Sequence, residues 1–317
     1  MNNYEGSNHP SIACLGECMI ELSGQRFGEV KQGWGGDSYN TAVYLRRLLP
    51  DSISVSYLTA VGDDPLSQEL VNRWQSNGID TRYVKTISGK TSGIYQILVD
   101  SKGERRFVYW RNDSAAKYQF DDRSATEIAR ELSSFGWVYL SGISLAVLTD
   151  KGRSNLLAAL NLYHQQGGRI VFDSNYRSIL WESKAVSQKL YREIAKISDI
   201  ALLTYDDEQT HFNATSTSDV FNVWYCSEVV IKRGHQPCLI RFENSIVEVD
   251  AEHVSSVVDT TAAGDSFGAG YIAGRVMGCS VASAASLGHQ VAAQVIQYPG
   301  AVIPETATAH IKMGDFV

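Results

Sequence analysis

The segment VVDTTAAGDSFGAG, residues 257–270, surrounds two acids, Asp259 and Asp265, with glycine, alanine and threonine. Small side chains let backbone N–H groups approach an anion closely. The small-residue run from about Ser266 predicts a helix, and its N-terminus would add unpaired donors and about half a positive charge. Such a turn suits a phosphate. An aspartate beside a phosphate is repelled by it, so Asp265 needs a reason to be there. General-base catalysis supplies one: the carboxylate can take the proton of a hydroxyl that attacks phosphorus while the N–H groups hold the developing charge. The competing reading is a helix N-cap, a position that aspartate favours. Spacing alone leaves both open.

A second phosphate-like motif fails. SGKTSG contains Gly89-Lys90-Thr91, but a Walker A loop needs a glycine five residues before Gly89, where this chain has Val84. It also lacks the strand–loop–helix setting.

The elements that must position Asp265 are read from periodicity. Ile12–Leu22 reads as an opening strand, SYNTAVYLRRLL as a helix from Asp37 or Ser38, and VSYLTAVG as a buried strand. PLSQELVNRWQSNGI is a helix stopped by Gly78. SGIYQILVD and ERRFVYWR flank the turn SKG as a hairpin. Strands WVYLSGI, RIVFDSN, DIALLTYDDE (leading into a turn) and SEVVIKRG then alternate with helices GRSNLLAALNLYHQQGG and VSQKLYREIAKI. Two small-residue helices, SFGAGYIAGRVMG and ASLGHQVAAQVIQY, come last. Alternation predicts an α/β fold: a doubly wound, mainly parallel sheet with helices on both faces. The hairpin does not fit that scheme and is expected to project as a small β lid. Ligands in such sheets sit beyond the carboxyl ends of the strands, and DTTAAGD is expected to be a strand end entering a helix there.

Composition sets outer bounds. The 317 residues are 44% hydrophobic and 20% charged, with a net charge of -7, which excludes neither one large domain nor two. An acidic chain does not suggest a nucleic-acid partner. The polar start MNNYEGSNHP does not read as an export signal, and no apolar run is long enough for a membrane span. Five scattered cysteines suggest reduced thiols and a cytoplasmic setting, with Cys14 and Cys18 as core residues rather than ligands.

Two separated motifs then carry a resemblance. DTTAAGDSFGAG resembles the C-terminal signature of the ribokinase-like (PfkB) carbohydrate kinases, and GWGGDSYNTAVYLRRL resembles their N-terminal glycine-glycine element. The likeness runs from about Ala13 to Pro304. GECMIELS, FVYWRNDSAAK, YLSGISLAVL, FDSNYRSILW and VIKRG are similar to the branch that acts on keto-deoxy sugar acids.

The resemblance implies one ribokinase-like domain over 1–317, with a β lid from about 21–34 and 90–118. It implies ATP, Mg²⁺ and phosphorylation of 2-dehydro-3-deoxy-D-gluconate to its 6-phosphate. By its pattern Asp265 is the base, and Ala262, Ala263 and Gly264 form the anion hole. Asn175, Lys232 and Gly234 meet the nucleotide. Gly35, Gly36 and Asn40 bind the sugar, while Tyr95, Tyr109, Arg111 and Arg177 hold substrate and its carboxylate, a group that arginine binds with a planar fork. The family's Asn-x-x-Glu element is altered: Tyr205 stands at the Asn position, leaving Glu208, and Asp207 beside it, as candidates to meet the metal through water. Asp259 and Thr261 resemble the start of a monovalent-cation loop. β lids in this family pair between subunits, which implies a homo-oligomer. The rival readings are a kinase for a neutral sugar such as fructose or ribose, and a sugar-sensing protein without catalysis.

Overall fold

The computed structural model describes residues 11–25, 27–99 and 105–316; MNNYEGSNHP and the SKG turn lie outside them. Strand β1 (Ser11–Leu15) is wholly buried. The chain then leaves its sheet, and β2 (Met19–Gly24) and β3 (Val30–Gly35) pair antiparallel in another one. The expected strand Ile12–Leu22 is therefore two strands. A Cβ on Gly16 would meet Ser38 Oγ at 2.1 Å, so the chain turns at Gly16 hard against the next helix, Asp37–Leu48. VSYLTAVG divides in the same way at Thr59. Its first part is β4 (Ser54–Leu58), and its second, β5 (Ala60–Gly62), pairs with β6 (Lys85–Ile87).

Strands β7 (Ile94–Val99) and β8 (Arg105–Trp110) form the expected hairpin. The alternating part follows: β9 (Trp137–Ser141), β10 (Arg169–Asp173), β11 (Ile200–Thr204) and β12 (Glu228–Arg233). Helices intervene where the periodicity puts them, at Asp150–Gln165 and Lys184–Ala195. TYDDE is not a turn: Tyr205–Phe212 is a helix that continues directly from β11, its acids lying in the first turn where the helix dipole favours them. Two further strands, β13 (Gln236–Phe242) and β14 (Ser245–Val249), close one edge antiparallel.

The central sheet runs β14-β13-β12-β11-β10-β9-β1-β4, parallel from β12 to β4. Its strands are apolar on both faces, as a covered parallel sheet requires. Ile12 and Cys14 join one core layer, and Ala13 and Leu15 the other. From β1 the order runs one way to β4 and the other way to β9, so the switch point lies between β1 and β9.

The second sheet runs β3-β2-β7-β8. Its strands occupy 19–35 and 94–110, while residues 111–118 return to the core: Ala115 N donates to Thr91 O at 2.9 Å.

The helix after the DTTAAGD turn is Ala263–Val276, three residues earlier than expected. No strand runs into it; the chain from 250 to 261 is irregular. Its small residues have a packing reason. A Cβ on Gly270 would lie 2.7 Å from Gly288 Cα, and one on Gly274 would lie 2.8 Å from Ala284 Cα. The helix thus rests almost backbone to backbone on Val281–Val295.

Candidate active site

The N-cap of Ala263–Val276 is Ala262, left-handed at φ 61°, and no side chain caps the helix. Asp265 lies inside the first turn, so it is not the N-cap. The first N–H groups of a helix lack intrahelical acceptors, and Gly264 and Asp265 carry such groups here. A Cβ on Gly264 would meet only Lys232 Nζ, at 3.6 Å. Protein packing alone therefore does not demand glycine at 264.

Around this turn a set of polar side chains converges from the carboxyl ends of the strands. Asn40 Nδ2 donates to Asp265 Oδ2 at 2.8 Å. Asp37 accepts from Ser141 Oγ at 2.5 Å and from Asn175 Nδ2 at 2.8 Å. Lys232 Nζ, at the end of β12, lies 2.8 Å from Asp173 Oδ2 at the end of β10. Asn175 takes φ 27°, unusual for a residue with a Cβ but tolerated by asparagine, and its N–H bonds Asp173 Oδ1 at 3.2 Å. Gly234, with φ 62°, makes the turn from β12 to β13, a conformation glycine adopts freely.

The acids influence one another. Burial, then the charge of Asp37, pushes Asp265 up to about 7, against the pull of the Asn40 hydrogen bond. Burial likewise raises Asp173, with Lys232 opposing. A carboxylate titrating near neutrality can both accept and release a proton at working pH.

The lid supplies a different surface. Gly33, Glu21, Tyr95 and Tyr109 are register neighbours across β3, β2, β7 and β8. Tyr95 OH donates to Glu21 Oε2, and the Tyr95 and Tyr109 ring centroids are 6.1 Å apart. A Cβ on Gly35 would meet Tyr95 OH at 2.9 Å. Arg111 is no solvated strand end: its side chain is 8% exposed and paired with Glu17, itself 1% exposed. Arg177 is more open and leans on Asp207 Oδ1 at 3.5 Å.

Glu208 lies apart from the open cleft. It is 0% exposed and accepts from Trp224 Nε1 at 2.8 Å, with burial pushing it up to about 7. Of the two acids expected to meet a metal, Asp207 is the one with solvent access. Asp259 is tied into its loop: Oδ1 accepts from Thr261 N and Oγ1 at 3.0 and 2.7 Å, and Oδ2 accepts from Gly300 N at 2.8 Å. Lys90 of the discarded SGKTSG motif pairs with Asp113 at 2.6 Å, outside the cluster. A surface cavity of about 240 Å³ lined by Ser11, Ser54, Arg82 and Ser134 opens at the opposite ends of the strands and holds none of the candidate residues.

Sequence reasoning missed Asp37, Asp173, Glu17 and Glu21. Each lay inside a quoted motif, but a lone acid beside an apolar run has no spacing that marks it out.

The pattern of pfkB family carbohydrate kinases matches residues 9–308. The chain belongs to that family. Among curated relatives of these kinases, the 2-dehydro-3-deoxygluconokinase of Dickeya dadantii (strain 3937) is 44% identical, covering 93% of this chain and 97% of the relative. The 2-dehydro-3-deoxygluconokinase of Escherichia coli (strain K12) is 43% identical over 93% and 98%. The kinase fold itself recurs in the crystal structure of 2-dehydro-3-deoxygluconokinase from Thermotoga maritima, with a TM-score of 0.80 and 20% identity over 94% of this chain and 96% of that one.

Proposed function

We propose that the chain transfers the γ-phosphoryl group of ATP to the 6-hydroxyl of 2-dehydro-3-deoxy-D-gluconate. The observation that carries this reading is the Asn40–Asp265 contact. It joins the helix behind the glycine-glycine element to the uncapped turn, so sugar binding and phosphate binding meet at one carboxylate. Near-full-length likeness to sugar-acid kinases supports the choice of substrate.

In this reading Gly35, Gly36 and Asn40 orient the sugar, and Asp265 takes the proton of the attacking hydroxyl. Of the expected anion hole, Ala263 already donates its N–H to Thr260 O at 3.2 Å and Ala262 shapes the turn, so the N–H of Gly264, with that of Asp265, holds the developing charge on the transferred group. Lys232, Gly234 and Asn175 position the nucleotide. Tyr95 and Tyr109 cover the sugar, and Arg111 and Arg177 meet its carboxylate. Among the described residues no cluster of three or more His, Cys, Asp or Glu forms a ready metal cage. Mg²⁺ does not need one, because it keeps much of its water and leans on phosphate oxygens. Asp207 would hold it through water with Glu208 behind, and when bound it would neutralise phosphate charge. The donors already on Asp259 suit a structural tie better than a monovalent cation.

One observation favours the rival kinase for a neutral sugar: both arginines already face a carboxylate, Glu17 for Arg111 and Asp207 for Arg177. ADP release measured against keto-deoxygluconate, gluconate, fructose and ribose decides between them. Equal turnover of fructose or ribose would leave the sugar kinase and remove the sugar acid. Retention of Asp265 within its turn weighs against a purely sensing protein. The exposed face and edge of β8, with Phe107, Val108 and Trp110, suit pairing of lids between two copies, which sedimentation would detect. Among the described residues no helix is long and apolar enough to cross a membrane.

A further inference from the structure

The site is split between two sheets, and the chain crosses between them four times. The first crossing, from β1 to β2, contains Glu17 itself. The second, from β3 into the helix Asp37–Leu48, passes through Gly36, where an added Cβ would lie 2.1 Å from Glu17 O. The third enters β7 through Gly93, where an added Cβ would lie 2.8 Å from Glu17 Oε1. The fourth leaves β8 through Arg111 and Ser114; Arg111 pairs with Glu17, and the Ser114 hydroxyl donates to Glu17 Oε1. All four crossings close around one residue, which is 2% exposed.

We infer that Glu17 is a positioning residue, the hub of the hinge that sets the lid against the core. Its role rests on the split site proposed above. Glu17 touches neither the base nor the anion turn. It holds the guanidinium of Arg111 from one side, and the buried Arg111 Nε has no hydrogen-bond partner in the structure. Two glycines let the neighbouring strands pass this close, since any side chain at 36 or 93 would strike Glu17. A carboxylate suits the place because it accepts from Ser114 and balances the buried Arg111 on the fourth crossing, while the glycines of the second and third pass close against it. Through it, the lid residues that cover the sugar are held in register with Asp265, which sits on the core.

The test uses whichever sugar the parent enzyme phosphorylates best. Glu17→Gln keeps the shape and removes the charge. It should raise the sugar KM at least tenfold while the ATP KM stays within twofold, because Lys232 and the anion turn lie on the core. The double variant Glu17→Gln/Arg111→Ala should lose in total no more kcat/KM than Arg111→Ala alone, as for groups acting as one unit. Should Glu17→Gln fail to fold, Ser114→Ala, which removes one donor, decides instead: a severalfold rise in sugar KM with ATP KM unchanged is expected. An unmoved sugar KM, an equal rise for both substrates or additive losses would overturn the hub. A parent enzyme that does not prefer sugar acids would overturn the substrate reading alone, since the hinge positions the lid over any sugar.

Discussion

The two halves of the cleft are built by different rules. On the core side, side chains from distant parts of the sequence interlock: Asn40 with Asp265, Asp37 with Asn175, Asp173 with Lys232. These groups sit at strand ends and helix starts, where packing on both faces of the sheet fixes them. On the lid side, Tyr95 and Tyr109 are cross-strand neighbours on a small sheet, and Tyr109 is 46% exposed. The lid presents an aromatic surface, and the core presents interlocked polar groups. In the proposed reading, chemistry falls to the interlocked side and recognition to the aromatic one.

The sharpest way to break that division is Asp265→Asn. It should lower kcat by roughly 10²–10⁴, the usual size of a general-base contribution, and slow every sugar alike while nucleotide binding persists. Turnover within a few-fold of the parent would remove Asp265 from the chemistry. Arg111→Ala probes the other half. Losing one hydrogen bond to a charged group is worth about 1.5–3 kcal/mol, so kcat/KM for the sugar acid should drop roughly ten- to a hundred-fold, with much less loss on fructose. Equal losses on both sugars would show that Arg111 does not read the carboxylate.

A pH profile refines the comparison. The base must be ionised, so kcat/KM should fall about tenfold per unit below the raised value of Asp265, about 7, and level off above it. Asp265→Asn should abolish that limb and Arg111→Ala should leave it in place. The smallest effect is on stability. The folded chain keeps on Asp265 a proton that the unfolded chain, with a value near 3.8, has already lost. Stability is therefore given up as pH rises from about 4 to 7. Asparagine cannot ionise, so Asp265→Asn should unfold later than the parent above pH 7, by on the order of 1–3 kcal/mol, and together with it near pH 4. Thermal scans at the two pH values check the sign.

The same division decided what the sequence revealed. The parallel core was legible because covered strands are apolar and the helices between them are amphipathic. The small-residue turn before a helix was legible because so many small residues precede Asp265. The lid was only half legible: β7 and β8 alternate, but β2 is continuous in character with β1, and nothing between Leu15 and Met19 except Gly16 marks a change of sheet. The start of the helix Ala263–Val276 was misplaced by three residues because Ala262 makes its turn with a left-handed backbone rather than with a capping side chain. Asp37, Asp173 and Glu17 acquire meaning only through partners far away in the chain, and periodicity carries no such information.

The contact between Gly270 and Gly288 has a consequence at long range. The helix that begins at the small-residue turn meets another helix backbone closely at Gly270 and Gly274, one to three turns behind Asp265. It behaves as a lever whose fulcrum is that pair of glycines and whose tip is Asp265. A single methyl group added at the fulcrum would not reach the sugar or the phosphate, yet it would tilt the tip. Faults in aim can thus arise well behind the cleft, in residues that touch nothing but their own helix partner.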